Sequence, residues 1–167
     1  MLMNKINDFL IKKLFIISDE PVKFADLLEA NALFLEKMPL ESAKLHFKQR
    51  IFLSYFVYVC LCFVLFLPIL FMAHFVFVKV DTHFGILSAI VMTSIFFIGF
   101  DLFRIYTQKL ICGHLIKYHW NIHFPYFEYE KYKNLVNGIY KKALEDEVAR
   151  GRLEQFVFEK IVNINKD

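Results

Sequence analysis

Glycine is scarce and scattered in this 167-residue chain: the five residues stand at positions 85, 99, 113, 138 and 151. Loops that cradle nucleotide phosphates need several glycines within a few positions, so nucleotide-driven chemistry has no anchor here. Ser18, Ser42, Ser54, Ser88 and Ser94 sit in no nucleophile-elbow context, and no His-Glu-x-x-His pair is present, which removes the commonest hydrolase signatures. The three cysteines are an odd number: Cys60 and Cys62 lie inside an apolar run and Cys112 lies far beyond it. No disulfide framework follows from that spacing.

A basic stripe is also missing. The net charge is +3, and Lys131, Lys133, Lys141 and Lys142 are offset by Glu128, Glu130, Glu145 and Asp146. Nucleic-acid binding is not expected without such a stripe or a known module. The segment from Phe9 to Ile17 is interrupted by Lys12 and Lys13 and lacks a small-residue cleavage site, so the N-terminus is expected to be retained rather than removed as a signal peptide.

The most informative absence is of charge. From Ile51 to Val78 there is no Asp, Glu, Lys or Arg, in a chain that is 57% hydrophobic and carries 21 phenylalanines. Backbone polar groups cannot stay unpaired in hydrocarbon, so a run of this length predicts a membrane-spanning helix. A second apolar run, Phe84 to Phe103, contains a single acid, Asp101. The fold class expected is therefore an all-α membrane protein: a two-helix transmembrane hairpin (51–78 and 84–103, with a short external turn at 79–83) between an N-terminal segment, 1–50, and a C-terminal segment, 104–167. The two flanking segments are expected to make one small helical cytoplasmic body.

Lys44, Lys48 and Arg50 precede the first span, Arg104 and Lys109 follow the second, and the turn carries only Lys79. By the positive-inside rule both termini face the cytoplasm, which places a multi-pass protein in the cytoplasmic (inner) membrane. Pro68 predicts a bend in the first span. Small residues mark where spans approach closely: Gly85, Ser88, Ala89, Met92 and Gly99 on the second helix, with Ser54, Tyr58, Leu61, Cys62, Leu65, Ile69 and Met72 on one side of the first. Phe52, Phe56, Phe63 and Phe66 are expected on the other face. Asp101 lies near the cytoplasmic interface and is expected to pair with Arg104, three residues on.

Outside the spans, the apolar spacing predicts helices over Asn4 to Ile17, from after Ser18 and Asp19 to near Lys37, and from Pro39 continuously into the first span. After the second span it predicts Ile105 to Trp120, Tyr129 to Glu147, and Arg150 to Asn163, with a break at Phe124-Pro125. The apolar stripe Leu153, Phe156, Val157 and Ile161, together with Tyr118, Trp120, Phe124, Tyr126 and Phe127, offers contact to a partner or to the chain's own N-terminal helices. Cys112, His114, His119 and His123 are the one cluster of metal-ligand types, with His119 and His123 spaced to share a helical face. No cofactor is predicted.

These features favour a non-enzymatic, membrane-anchored accessory protein, a subunit, assembly factor or chaperone of a larger inner-membrane complex. The partners expected are the lipid bilayer and other membrane protein subunits or further copies of the chain. A self-associating transport or channel component is the alternative, and a metal-dependent membrane enzyme using the histidine cluster is a second.

Overall fold

In the computed structural model, residues 2–77 and 82–164 are described, and six α-helices make up most of them. They are α1 (Leu2–Leu14), α2 (Phe24–Leu35), α3 (Ile51–Phe77), α4 (Thr82–His123), α5 (Tyr129–Glu145) and α6 (Leu153–Ile164). A 3-10 turn, Arg150–Arg152, leads into α6. Two short strands, β1 (Phe15–Ile17) and β2 (Phe47–Gln49), pair as a two-stranded sheet. α3 and α4 each contain a stretch long and apolar enough to cross a membrane. Most of the expected turn at 79–83 lies outside the described residues.

Packing divides the chain into two compact units, residues 1–16 with 49–108, and residues 17–48 with 109–167. Hydropathy locates apolar runs, whereas these units record which segments touch. In unit 1, α1 packs on α3, and Leu10, Ile11 and Leu14 on one face of α1 are buried. The contacts Gln108 to Gln49, Phe100 to Tyr55 and Phe96 to Tyr58 run in opposite sequence directions, so α3 and α4 are antiparallel there. α3 continues through Pro68.

Unit 2 draws on both ends of the chain. α2, α5 and α6 pack against one another around a conventional core in which Leu27, Trp120, Phe124, Val136, Val157 and Ile161 are almost wholly buried. The stripe on α6 is thus taken up inside the unit. α2 and α5 both end in reciprocal backbone bonds that turn the chain through a left-handed residue. Lys37 holds φ 58° and Glu147 φ 51° at those turns.

Three expected helices differ. β1 begins at Phe15, so α1 stops three residues short of Ile17. The helix expected from Pro39 into the first span does not form: residues 42–46 turn tightly, His46 adopts φ 52°, and β2 precedes α3. The apolar spacing of Leu40, Ala43, Leu45 and Phe47 is satisfied instead by burying Leu45 and Phe47 from a turn and a strand. Ser18 accepts a bond from the Glu20 N–H, 3.3 Å, and so caps a local turn while α2 starts later, at Phe24.

Candidate functional site

The helix pair of unit 1 is organised around Tyr58. Its hydroxyl donates to the carbonyl of Phe96 across the pair, 2.8 Å, and its ring meets Phe96, Phe100 and Phe103. A Cβ on Gly99 would stand 2.3 Å from the Tyr58 oxygen, so only glycine leaves room for this hydroxyl. Among the described side chains of α3, Ser54, Tyr58 and Cys62 are buried, an i, i+4 ridge along one face. Leu61, Leu65 and Ile69, expected on that face, are 44%, 56% and 57% exposed, because they lie one residue off the ridge, and the side chain of Met72 lies outside those described. Met92 is half-buried, and the side chains of Gly85, Ser88 and Ala89 lie outside those described.

The phenylalanines expected outside do lie outside in three cases: Phe52, Phe56 and Phe63 are exposed, while Phe66 is half-buried. Phe63 and Phe66 line an apolar cleft of about 370 Å³ with Val59, Cys62, Met92 and Phe96.

One end of the pair is polar. Gln49 donates to Ser54 Oγ, 3.2 Å, the Ser54 hydroxyl donates to the Arg50 carbonyl, 3.0 Å, and Gln108 donates to Gln49, 3.4 Å. Asp101 and Arg104 are both exposed at this end and, among the described residues, do not approach within the 4.0 Å of an ion pair. An exposed pair at this spacing gains only about 0.2–0.5 kcal/mol, too little to hold a long guanidinium in one rotamer.

In unit 2 the candidate metal residues do not converge. Among the described residues no group of three or more His, Cys, Asp and Glu side chains is placed to hold an ion. Cys112 is buried and His114 exposed, as two positions about 200° apart on a helix must be. Burial pushes the Cys112 thiol up to about 11. His123 shares a 2.8 Å bond with the Val22 carbonyl and meets the edge of Phe24. His119 is buried with its Nδ1 unpartnered among the described residues. Burial holds its imidazole below the usual value, and the His123 and His46 rings add to that. His46 lies so far off in sequence that no spacing could announce it.

The aromatic stretch is mostly internal. Trp120 stacks on Phe124 at 4.4 Å and donates its indole N–H to the Phe127 carbonyl, 2.7 Å, which closes the Phe124-Pro125 turn. Leu153, Val157 and Ile161 are buried with them. The contact surface suggested by the sequence therefore narrows to Tyr118 and Tyr126, which are exposed, with Phe127 and Phe156 half-buried.

A buried polar link went unread in the sequence. Asn31 is fully buried on α2, accepts from the Tyr129 hydroxyl at 3.2 Å and donates to the Lys133 carbonyl at 3.3 Å. Its signal was a lone amide in the apolar run FADLLEANALFL. Burial, aided by the charge of Glu130, pushes Tyr129 up to about 12. Nearby charges are paired: Glu130 bridges Lys117 and Lys133, and Lys141 meets Glu36 at 2.6 Å beside a groove of about 370 Å³ that also includes Tyr140 and Arg150.

No family model, curated protein or solved structure matches the chain.

Proposed function

We propose that the chain is a non-enzymatic, membrane-anchored accessory protein, a subunit, assembly factor or chaperone of a larger inner-membrane complex. In this reading α3 and the apolar part of α4 cross the bilayer as a hairpin, and unit 2 is the cytoplasmic body.

The observation that carries the reading is how little of the apolar helices is covered. Of the most apolar window in Ile51–Ile69 only 17% is buried, and of that in Ile90–His123 only 6%. A core helix of a soluble domain hides such a surface. Phe52 at 94% and Val64 at 76% exposed demand hydrocarbon or a partner. α4 has 42 residues, and at about 1.5 Å each a helix of that length is roughly twice the hydrocarbon thickness. Its crossing part ends near Phe103, before Arg104 and Lys109, and those cations with Lys48 and Arg50 favour cytoplasmic termini.

An accessory role is favoured over catalysis by the use made of the polar side chains. Tyr58, Asn31 and Trp120 bond helices or turns to one another, and Ser54 bonds the start of its own helix. A self-associated pore is less well supported, since the Ser94 hydroxyl is engaged by the Ile90 carbonyl, 2.9 Å.

Native mass spectrometry of the protein extracted in mild detergent tests the reading. A complex of fixed stoichiometry with a different membrane protein is the expected result. Monomer alone overturns it, and a closed homo-oligomer that carries ion flux in liposomes replaces it with the transport alternative.

A further inference from the structure

We infer that α1 is an interfacial helix whose exposed face docks on anionic phospholipid of the same bilayer. This rests on the membrane reading above. α1 is fixed at the polar end of the helix pair, where the Leu14 carbonyl accepts the N–H of Arg50 at 2.8 Å and the Tyr106 hydroxyl reaches Asn7 at 3.5 Å.

One face of α1 is used by that packing. The other carries two large apolar side chains that nothing in unit 1 covers, Ile6 at 48% and Phe9 at 55% exposed. At about 100° per residue, Lys5, Phe9, Lys13 and Ile6 fall within an arc of roughly 100°. Lys12 borders the arc and is exposed like Lys5 and Lys13. Apolar anchors between lysines are what a helix lying in the plane of a charged headgroup layer presents.

Charge and continuity choose the occupant. The described charged residues of unit 1 are Lys5, Lys12, Lys13, Arg50 and Arg104 against Asp8 and Asp101, and every one belongs to α1, the start of α3, or α4 near this end. A cationic collar at the rim of an apolar surface attracts acidic headgroups. The end of α1 is joined to Arg50 through the Leu14 carbonyl, and Ile51 and Phe52, directly after Arg50, are 61% and 94% exposed, so α1 is tied to the start of the helix whose apolar surface would meet acyl chains.

The test uses the full chain reconstituted in vesicles of phosphatidylcholine, with or without phosphatidylglycerol, that contain lipid brominated just below the acyl carbonyl. Phe9→Trp and Phe52→Trp are compared with the parent, whose single Trp120 is wholly buried. The expected result is quenching of the added tryptophan in both variants. For Phe9→Trp it should rise roughly twofold with phosphatidylglycerol, and lose that rise near 1 M salt, where the Debye length is about 3 Å. Replacing Lys5, Lys12 and Lys13 by Gln should abolish the dependence as well.

An unquenched Phe9→Trp beside a quenched Phe52→Trp overturns the docking of α1, by solvent exposure or by a protein partner, and leaves the hairpin standing. Quenching of Phe9→Trp that ignores phosphatidylglycerol overturns the choice of anionic lipid. If Phe52→Trp is also unquenched, the membrane reading itself falls, and the inference with it.

Discussion

The hydroxyl of Tyr58 occupies the space where Gly99 lacks a side chain. A Cβ there would stand 2.3 Å from the oxygen and 3.4 Å from the ring carbon that bears it, so the conflict lies almost wholly with the hydroxyl. The same hydroxyl holds the Phe96 carbonyl at 2.8 Å. If the pair crosses a bilayer, where helices gain little from apolarity when they associate, this close approach and its interhelical hydrogen bond are a large part of what joins it.

Gly99→Ala should therefore weaken the pair by about 1–2 kcal/mol, through displacement of the Tyr58 hydroxyl and loss of its bond. In a Tyr58→Phe background the same substitution should be neutral or slightly stabilising, since alanine is the better helix former by about 1 kcal/mol. Denaturation of the four proteins in mixed micelles should give a coupling of about 1 kcal/mol or more. Additive effects would mean that the two residues do not meet.

Asn31 is wholly buried and joins α2 to α5. Asn31→Ala leaves the Tyr129 hydroxyl buried without its acceptor and should cost about 2–3 kcal/mol in unit 2. Tyr129→Phe removes the donor instead and should cost about 1 kcal/mol. A thermal scan that reads the near-ultraviolet signal of Trp120 would rank them, and equal costs would mean that the hydroxyl is solvated.

Tyr129 also gives unit 2 an alkaline limit. Its ordinary value is 10.0, and burial raises it to about 12 in the folded chain, so between those values the folded state keeps a proton that the unfolded state has released. The stability is whole below pH 10 and falls as pH rises through this window. Burial raises Tyr140 in the same sense. Urea midpoints across the window should fall less steeply in Tyr129→Phe, with the residual slope shared by Tyr140, Cys112 and Lys44, which are raised in the same sense.

How much of this could be read beforehand depended on the range of the interaction. The two long apolar helices, the break at Phe124-Pro125, and α5 and α6 were legible because periodicity and proline act within a few residues. The start of α3 was not: Leu40 to Phe47 has helical spacing, yet Leu45 and Phe47 are buried from a turn and a strand, which only long-range packing decides. For the candidate site, Gly99 and Tyr58 were legible as small and large members of a contact face, but the choice of Cys62 over Leu61 depends on helix rotation. The influence of His46 on His119 and the bond from Tyr129 to Asn31 act across long stretches of the chain and leave no local pattern.

Lys37 and Glu147 end their helices in a conformation that costs an L-residue about 1–2 kcal/mol and glycine little. The Lys37 N–H reaches the Phe34 carbonyl and the Met38 N–H the Leu33 carbonyl, at 3.2 and 2.9 Å, and Glu147 and Val148 repeat the pattern on Leu144 and Ala143. Lys37→Gly and Glu147→Gly should each stabilise unit 2 by about 0.5–1 kcal/mol, after allowance for the looser unfolded chain. Alanine at either position should give no such gain. A lower melting temperature for both glycine variants would show that neither turn is strained.

The three cysteines report on the bilayer without any substitution. Cys60 is exposed on α3, whereas Cys62 and Cys112 are buried. In water, exposure would make Cys60 the reactive thiol, because attack requires thiolate and access. If α3 spans, Cys60 stands roughly 14 Å from the start of the helix, at about 1.5 Å per residue, in hydrocarbon that neither a charged maleimide nor a thiolate enters. Cys112 is slow for a different reason, since its thiol is held near 11. Intact proteoliposomes should therefore take up almost no charged maleimide, and sodium dodecyl sulfate should release all three thiols. Rapid labelling of Cys60 before the detergent is added would put that face of α3 in water.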